Sequence, residues 1–384
     1  MRFRARVSQS TAKCVVFTGG GTGGHIFPGI AVFQALAQQA AVRVVWIGAA
    51  RGADRSIVES AGLEFCGITA GKWRRYASVR NFFDVFRVLV GTVQSYCILR
   101  ALRPQALFSK GGFVSVPPCI AAWLLRIPVV THESDISPGL ATRINARFAD
   151  RILVSYPRTS CYFPRARRAA VHCTGNPVRQ DFFSAQAERA YQFLRIDQKK
   201  PLLTVLGGSS GARDLNARVL SCSTFLTERF YLVHQFGAGN EDQMHAITNS
   251  LSVNARHAYM SFPFIQAHLP DILAASALVL SRAGANAVWE CAVLGKPMIL
   301  FPLERGSSRG DQIENAEYFS AHGAACILRA QDEKGHQLVS LLTELFHPSC
   351  TRIEEMARAS YTLGIGNAAY DIAQQLQTFI KEGM

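Results

Sequence analysis

The sequence predicts an α/β protein of two lobes, each a parallel sheet wrapped by helices on both faces. Three observations lead there. Its 384 residues exceed the ~100–200 that one core ordinarily organises. Short apolar runs alternate with longer helical stretches along the chain, the rhythm of βαβ units. The charge also divides near Pro177: residues 1–177 hold 23 basic and 7 acidic side chains, and the remainder hold 18 and 20.

Read in order, residues 1–13 form a basic leader with no apolar h-region or small-residue cleavage site, so a disordered tail is expected and not a signal peptide. The first lobe, 14–177, carries apolar runs at Cys14–Phe17, Val42–Ile47, Ala106–Phe108, Pro128–Thr131 and Arg151–Val154. Thr174-Gly-Asn-Pro-Val178 interrupts regular structure where the charge balance changes, and marks the junction. The second lobe, 178–364, repeats the rhythm at Leu202–Leu206, Tyr231–Gln235, Ala277–Leu280, Met298–Phe301 and Ala325–Leu328. Residues 365–384 contain a last helical stretch, Asn367–Lys381.

Composition excludes several classes. Hydrophobic residues at 49% against 18% charged leave ample apolar surface for a packed core, so a disordered chain is excluded. The ten cysteines form no C-x-x-C pair and do not cluster with histidine, which argues for reduced core thiols and against a metal site. No uncharged run of ~18 apolar residues is seen, since Arg126 interrupts the stretch from Ile120 to Val130, and a membrane span is not expected. The balance of +16 in residues 1–177 calls for an anionic partner. With no helix-turn-helix or basic-aromatic repeat visible, nucleic acid is disfavoured.

Two glycine-rich turns carry the chemistry. Phe17–Val32, FTGGGTGGHIFPGIAV, runs from a strand into a helix, where glycines admit close approach of a ligand and the helix N-terminus offers free N–H groups. A GxGxxG reading from Gly19 to Gly24 keeps a nicotinamide-binding fold open. No acidic residue follows at the strand end near Gly48, as that fold requires. His25 closes the turn, where an imidazole is suited to act as a base. GGSSGAR, 207–213, repeats the device, and Arg179 has the guanidinium geometry that suits a diphosphate. In SRAGANAVWE, 281–290, small residues precede a helix that carries Glu290, a carboxylate placed to accept ribose hydroxyls. The segment 72–100 mixes Trp73, Phe82, Phe83 and Phe86 with Lys72, Arg74, Arg75, Arg80 and Arg87. On a helical wheel Arg80, Asp84, Arg87, Gly91 and Gln94 share one narrow face and leave a wide apolar arc, suited either to anionic lipid or to burial.

Taken in order, GGGTGGHIFPGIAV, KGGFVSVPPCIAAWLLRIPVVTHESDISPGLATR, TGNPVR, VLGGSSGARDLN, SRAGANAVWE and DQIENA closely resemble the MurG family of bacterial peptidoglycan glycosyltransferases. The resemblance runs from about residue 14 to the C-terminus. It implies a GT-B fold, two Rossmann-like lobes facing a central cleft, with a C-terminal helix that returns to the first lobe. It implies inverting transfer of N-acetylglucosamine from UDP-N-acetylglucosamine to the 4-hydroxyl of N-acetylmuramoyl-pentapeptide on undecaprenyl-diphosphate-linked lipid I, with no cofactor or metal. By position, Thr22, Gly23, Gly24 and Asp135 would meet the donor sugar, Arg179 and Ser209 its diphosphate. Ile265, Ala285, Asn286 and Glu290 would hold uridine and ribose, with Gln312 near the sugar. His25 would be the base, and His132 with Glu133 a supporting pair at the acceptor side. Trp73, Arg80, Phe82, Phe86 and Arg87 would rest on the anionic cytoplasmic face of the inner membrane, making the protein peripheral.

Two departures stand out. Asp135 replaces an Asn common in relatives and loses the amide donor. Trp289 replaces a small polar residue and is expected to alter the nucleotide pocket. The nearest alternative is a UDP-N-acetylglucosamine 2-epimerase of the same fold, and a catalytically silent membrane module is disfavoured by the second-lobe motifs.

Overall fold

The computed structural model describes residues 13–21, 23–71, 79–208, 211–304, 309–329 and 335–382. They divide into two compact units, one running to Ser134 and resuming over Pro138–Arg179 and from Asn367, the other comprising Asp135–Ser137 and Gln180–Gly366.

The first unit is built on seven parallel strands: β1 Cys14–Thr18, β2 Arg43–Ala49, β3 Glu64–Ile68, β4 Ala106–Ser109, β5 Val129–Glu133, β6 Arg151–Val154 and β7 Val171–Cys173. Their order is β3-β2-β1-β4-β5-β6-β7. Val16 of β1 lies opposite both Val45 and Leu107. Side chains alternate between two cores, as the pleat demands. Val15 and Phe17 join Trp46, Ile26 and Ile30 on one face, whereas Cys14 and Val16 join Ile47, Leu99 and Cys119 on the other. A strand buried on both faces cannot alternate polar and apolar residues, which is why CVVFT reads as one continuous run.

The C-terminal helix Ala368–Glu382 belongs to this unit, packing Ile372, Leu376 and Ile380 beside the Gly23–Gln39 helix. Lys13 Nζ donates to the Ile380 carbonyl at 2.6 Å, and the Arg151 guanidinium lies 4.7 Å over the Phe379 ring.

The second unit has six parallel strands, β8 Leu202–Leu206, β9 Tyr231–Gln235, β10 Tyr259–Phe262, β11 Ser276–Ser281, β12 Met298–Leu300 and β13 Ala325–Ile327, in the order β10-β9-β8-β11-β12-β13. Leu203 and Val205 face a core with Leu215, Leu232 and Leu338, and Leu202 faces another with Ala190, Val233 and Ile272. Both sheets therefore wind outward in one direction, return to the centre and wind out in the other.

The helix Val79–Leu102 inverts the usual arrangement. Its inward strip is Asp84, Gly91, Ser95 and Leu99, all buried. Gly91 packs so tightly on the Thr69 carbonyl that an added Cβ would collide with it, and Gln94 accepts the Thr69 amide at 2.7 Å. Asp84, Gly91 and Gln94 of the narrow polar face thus dock, whereas Arg87 stays exposed. Phe86, Leu89 and Val93 point outward at 53%, 57% and 65% exposure. Asp84–Leu102 is also long and apolar enough to cross a membrane by length and composition. A search for uncharged runs misses it because Asp84 and Arg87 interrupt the stretch, and these two pair with each other at 2.9 Å.

Candidate active site

Each sheet reverses its winding between neighbouring strands, at β1/β4 and at β8/β11. Beyond the carboxyl ends of such strands an open α/β sheet leaves room for a ligand. Both glycine motifs follow the first strand of such a pair.

In the first unit the loop after β1 meets the loop after β4. Gly112 has φ 77°, and a Cβ there would come within 2.5 Å of the Gly20 carbonyl oxygen. This main-chain approach brings half-buried His25 to the Lys110 carbonyl, with Nδ1 at 3.2 Å from the oxygen. A carbonyl can only accept, so Nδ1 carries the proton and Nε2 is the basic nitrogen. The Lys110 side chain is buried at 2% exposure, and its Nζ donates to Ser134 Oγ at 2.5 Å. Ser134 in turn donates to Asn176 Oδ1 at 2.6 Å. Sequence reasoning missed this chain, although a lysine at a strand end directly before two glycines was the available signal.

Glu133, at the end of β5, is buried and accepts the Gly139 amide at 3.0 Å, ahead of the Leu140–Asn145 helix. His132 does not join it. Successive residues of a strand point to opposite faces, and His132 is wholly buried with Nε2 3.0 Å from the Gly175 carbonyl. Its Nδ1 has no hydrogen-bond partner among the described residues. Burial, with the nearby Lys110 charge second, holds this imidazole well below the usual histidine range, hence neutral. His132 and Glu133 thus turn to opposite faces of β5 and meet different partners, the Gly175 carbonyl and the Gly139 amide. Arg179 closes the unit with its guanidinium 5.8 Å over the Phe27 ring.

In the second unit open space lies at both turns of the reversal, since a Cβ built on Gly208 or on Gly284 meets nothing within 4 Å. Gly284 precedes the Ala285–Val293 helix without a side-chain cap, leaving the first-turn amides to other acceptors. Asn286 and Glu290 are half-buried and four residues apart, so they share one helix face. Ile265 is buried, with its amide donating to Gln235 Oε1 at 2.9 Å, and Gln312 Oε1 accepts the Leu303 amide at 3.1 Å. Trp289 is 7% exposed and meets Phe319 edge-on at 5.8 Å. The core therefore takes up the Trp289 ring.

Asp135 sits in the second unit with its carboxylate engaged, by Arg309 Nη2 at 3.1 Å and by Asn315 Nδ2 at 3.1 Å. The charge introduced by this departure thus has its own cation. Arg282, which sequence reasoning passed over, is buried and donates to the Phe301 carbonyl at 3.0 Å and to Asp214. It lies 4.6 Å over the Phe301 ring, with Arg218 at 4.1 Å from the same ring. Thr22, Trp73 and Ser209 lie outside the described residues, as do the side chains of Arg80 and Phe82.

Residues 15–154 match the glycosyltransferase family 28 N-terminal domain, and residues 202–376 match its C-terminal domain. The chain belongs to glycosyltransferase family 28. Over 384 residues, all of both chains, this family 28 protein is 99% identical to the UDP-N-acetylglucosamine--N-acetylmuramyl-(pentapeptide) pyrophosphoryl-undecaprenol N-acetylglucosamine transferase of Treponema pallidum (strain Nichols). It is 52% identical over 382 residues to the same-named protein of Treponema denticola, covering 96% of this chain and 98% of that one.

Among solved structures, Acinetobacter baumannii MurG is similar with a TM-score of 0.72 and 25% identity over 95% of this chain and 99% of that one. A UDP-GlcNAc 2-epimerase from Neisseria meningitidis reaches a TM-score of 0.67 at 14% identity, over 95% and 100% of the two chains. That likeness is one of fold alone. The two parallel sheets and these matches give the chain the GT-B fold.

The neutral state of His132 is open to direct measurement. In an NMR titration its ring signals are expected to stay flat from pH 8 down to pH 5, because protonation is pushed below the ~6.5 of an ordinary histidine. A midpoint near 6.5 would put the ring in water.

Proposed function

We infer that this glycosyltransferase carries out the transfer for which its full-length relatives are named. N-acetylglucosamine passes from UDP-N-acetylglucosamine, with inversion, to the 4-hydroxyl of the N-acetylmuramoyl-pentapeptide of undecaprenyl-diphosphate-linked lipid I. The product is lipid II, a precursor of peptidoglycan. The observation that carries this reading is 99% identity over the whole of both chains. The 2-epimerase alternative has only a shared fold at 14% identity behind it.

In the mechanism we propose, His25 Nε2 takes the proton of the acceptor hydroxyl as that oxygen attacks the anomeric carbon. The tautomer set by the Lys110 carbonyl supports this role. Attack opposite the departing UDP inverts the centre. Arg179, Ser209 and the first amides of the Ala285–Val293 helix would meet the charge that develops on the leaving diphosphate, and so the step is proposed to need no added metal. Ile265, Ala285, Asn286 and Glu290 are assigned to uridine and ribose, and Thr22, Gly23, Gly24, Asp135 and Gln312 to the sugar. Glu133, tied to the Gly139 amide, would order the acceptor side. The first unit is thus read as the acceptor lobe and the second as the nucleotide-sugar lobe.

The acceptor carries a long lipid, so the enzyme is proposed to work at the cytoplasmic face of the inner membrane as a peripheral protein. Phe86 and Arg87, with Leu89, Val90 and Val93, present an exposed apolar face beside basic charge, a pattern suited to anionic lipid. Trp73, Arg80 and Phe82 are assigned to the same surface from the sequence. Nucleic acid has no part in this reading.

Incubation with radiolabelled UDP-N-acetylglucosamine and a short-chain lipid I analogue in EDTA is expected to move label to the lipid. Appearance of UDP-N-acetylmannosamine without lipid labelling would turn the assignment to the epimerase. His25→Ala is expected to cut turnover ~100-fold or more while UDP affinity holds, and near-normal turnover would remove His25 as base. The double change Phe86→Ser and Leu89→Ser is expected to weaken binding to phosphatidylglycerol vesicles about tenfold or more, with the fold retained because both side chains are exposed. Unchanged vesicle binding would move the membrane surface elsewhere.

A further inference from the structure

The turn that follows β1 opens on glycines, whose conformation no side chain of their own fixes. Gly20 and Gly21 have φ of 153° and 86°, conformations that glycine enters without strain and leaves as easily. The loop must be fixed from outside, because His25 follows it directly. On one side Trp46 Nε1 donates to the Gly19 carbonyl at 3.1 Å. On another stands Asp54, the first residue of the Asp54–Ser60 helix and only 5% exposed. Its two carboxylate oxygens accept the Gly21 amide at 3.2 and 3.1 Å, and Oδ2 also accepts the Ala49 amide at 3.4 Å.

A carboxylate so far from water is costly unless its oxygens are met. Here they are met by the main chain of the glycine loop and of the end of β2. The fit leaves no room for a side chain on Gly20, whose added Cβ would collide with Asp54 Oδ2. Charge-assisted bonds of this kind are stronger and more directional than neutral ones. The Gly21 amide is consequently committed to Asp54 and is not one the loop presents to a ligand.

We propose that Asp54 is a positioning residue for the transfer reaction, holding the glycine loop so that Gly23, Gly24 and His25 stand in register with the reacting groups. The proposal rests on the function inferred above. Asp54 acts through the loop and touches neither substrate. Its position, 33 residues beyond Gly21 in sequence, is why no motif contains it.

Asp54→Asn is the discriminating change, because it keeps the volume but turns an acceptor-only group into one that must aim an NH₂ at a backbone N–H. In the full-length enzyme, kcat is expected to fall about tenfold or more, as for a displaced catalytic group. The donor KM should change less than kcat, UDP affinity should stay close to the parent protein, and the thermal midpoint should fall modestly with the folded state retained. Asp54→Ala should behave alike in kcat. Asp54→Asn turning over within about twofold of the parent would overturn the proposal. So would loss of UDP binding and of the folded state in proportion to kcat, since Asp54 would then serve stability alone. If the unaltered enzyme itself moves no label to the lipid I analogue, the functional reading fails instead, so the two failures are separable.

Discussion

The position of the basic nitrogen depends on a contact between two stretches of main chain. At Gly112 the loop after β4 comes so near the Gly20 carbonyl that a Cβ would intrude at 2.5 Å. Gly111 and Gly112 both hold φ near 80°, at 84° and 77°, a region costly for residues with a side chain. The same loop is anchored beneath by Asn145, whose Nδ2 donates to Ser109 Oγ at 3.0 Å and Ser115 Oγ at 2.7 Å. His25 then takes its tautomer from the Lys110 carbonyl. Any side chain at Gly112 would separate the loops, and displacements near 1 Å at a reacting centre can cost ~100-fold in rate. Glycine is therefore required here by geometry.

What could be read from the sequence follows from how completely each strand is enclosed. The ten runs recognised from their apolar residues all became strands, and those at the sheet centres, such as β1, β5 and β8, are buried throughout. The three strands that escaped notice, β3, β7 and β10, all lie at sheet edges. β3 opens on the exposed Glu64, and β7 is a three-residue strand that is largely exposed. An edge strand is covered on fewer sides and so needs no continuous apolar run. The glycine turns were legible because the strand, the glycines and the helix that follow one another in each are contiguous in sequence. Asp54, Lys110 and Arg309 were not, since their partners lie 33, 24 and 174 residues away in sequence.

The Val79–Leu102 helix shows where periodicity stops being informative. A helical wheel finds a narrow polar strip and a wide apolar arc, but it does not say which side faces the protein. Small size decides the matter: Gly91 and Ser95 permit backbone approach, and Gln94 can bond the Thr69 amide, so this part of the strip docks while Arg87 stays outside. Val85, Phe86, Leu89, Val90 and Val93 of the apolar arc are left outside, in the half of the chain where basic residues outnumber acidic by 23 to 7. Apolar exposure and positive charge then occur in the same unit. In water the first is a liability, whereas at an anionic lipid surface the two act together.

The fold alone could not have chosen the reaction. A 2-epimerase shares it at a TM-score of 0.67 with 14% identity, because winding reversals and helix N-termini come with any doubly wound sheet. The choice of reaction rests on the 99% identity over the whole of both chains, and what burial allows a side chain to do is seen in the two histidines of the first unit. His132 is sealed in β5, desolvated and kept neutral, its Nε2 spent on the Gly175 carbonyl. His25 is only half-buried and gives up Nδ1 instead, which leaves Nε2 as the basic nitrogen. In both, a main-chain carbonyl selects the tautomer. The difference is that one carbonyl directs the remaining nitrogen into a packed interior, where protonation is penalised, and the other holds a ring that is only half-buried, at the edge where the base is proposed. Burial turns one imidazole into a structural group, and partial exposure fits the other to be the proposed base.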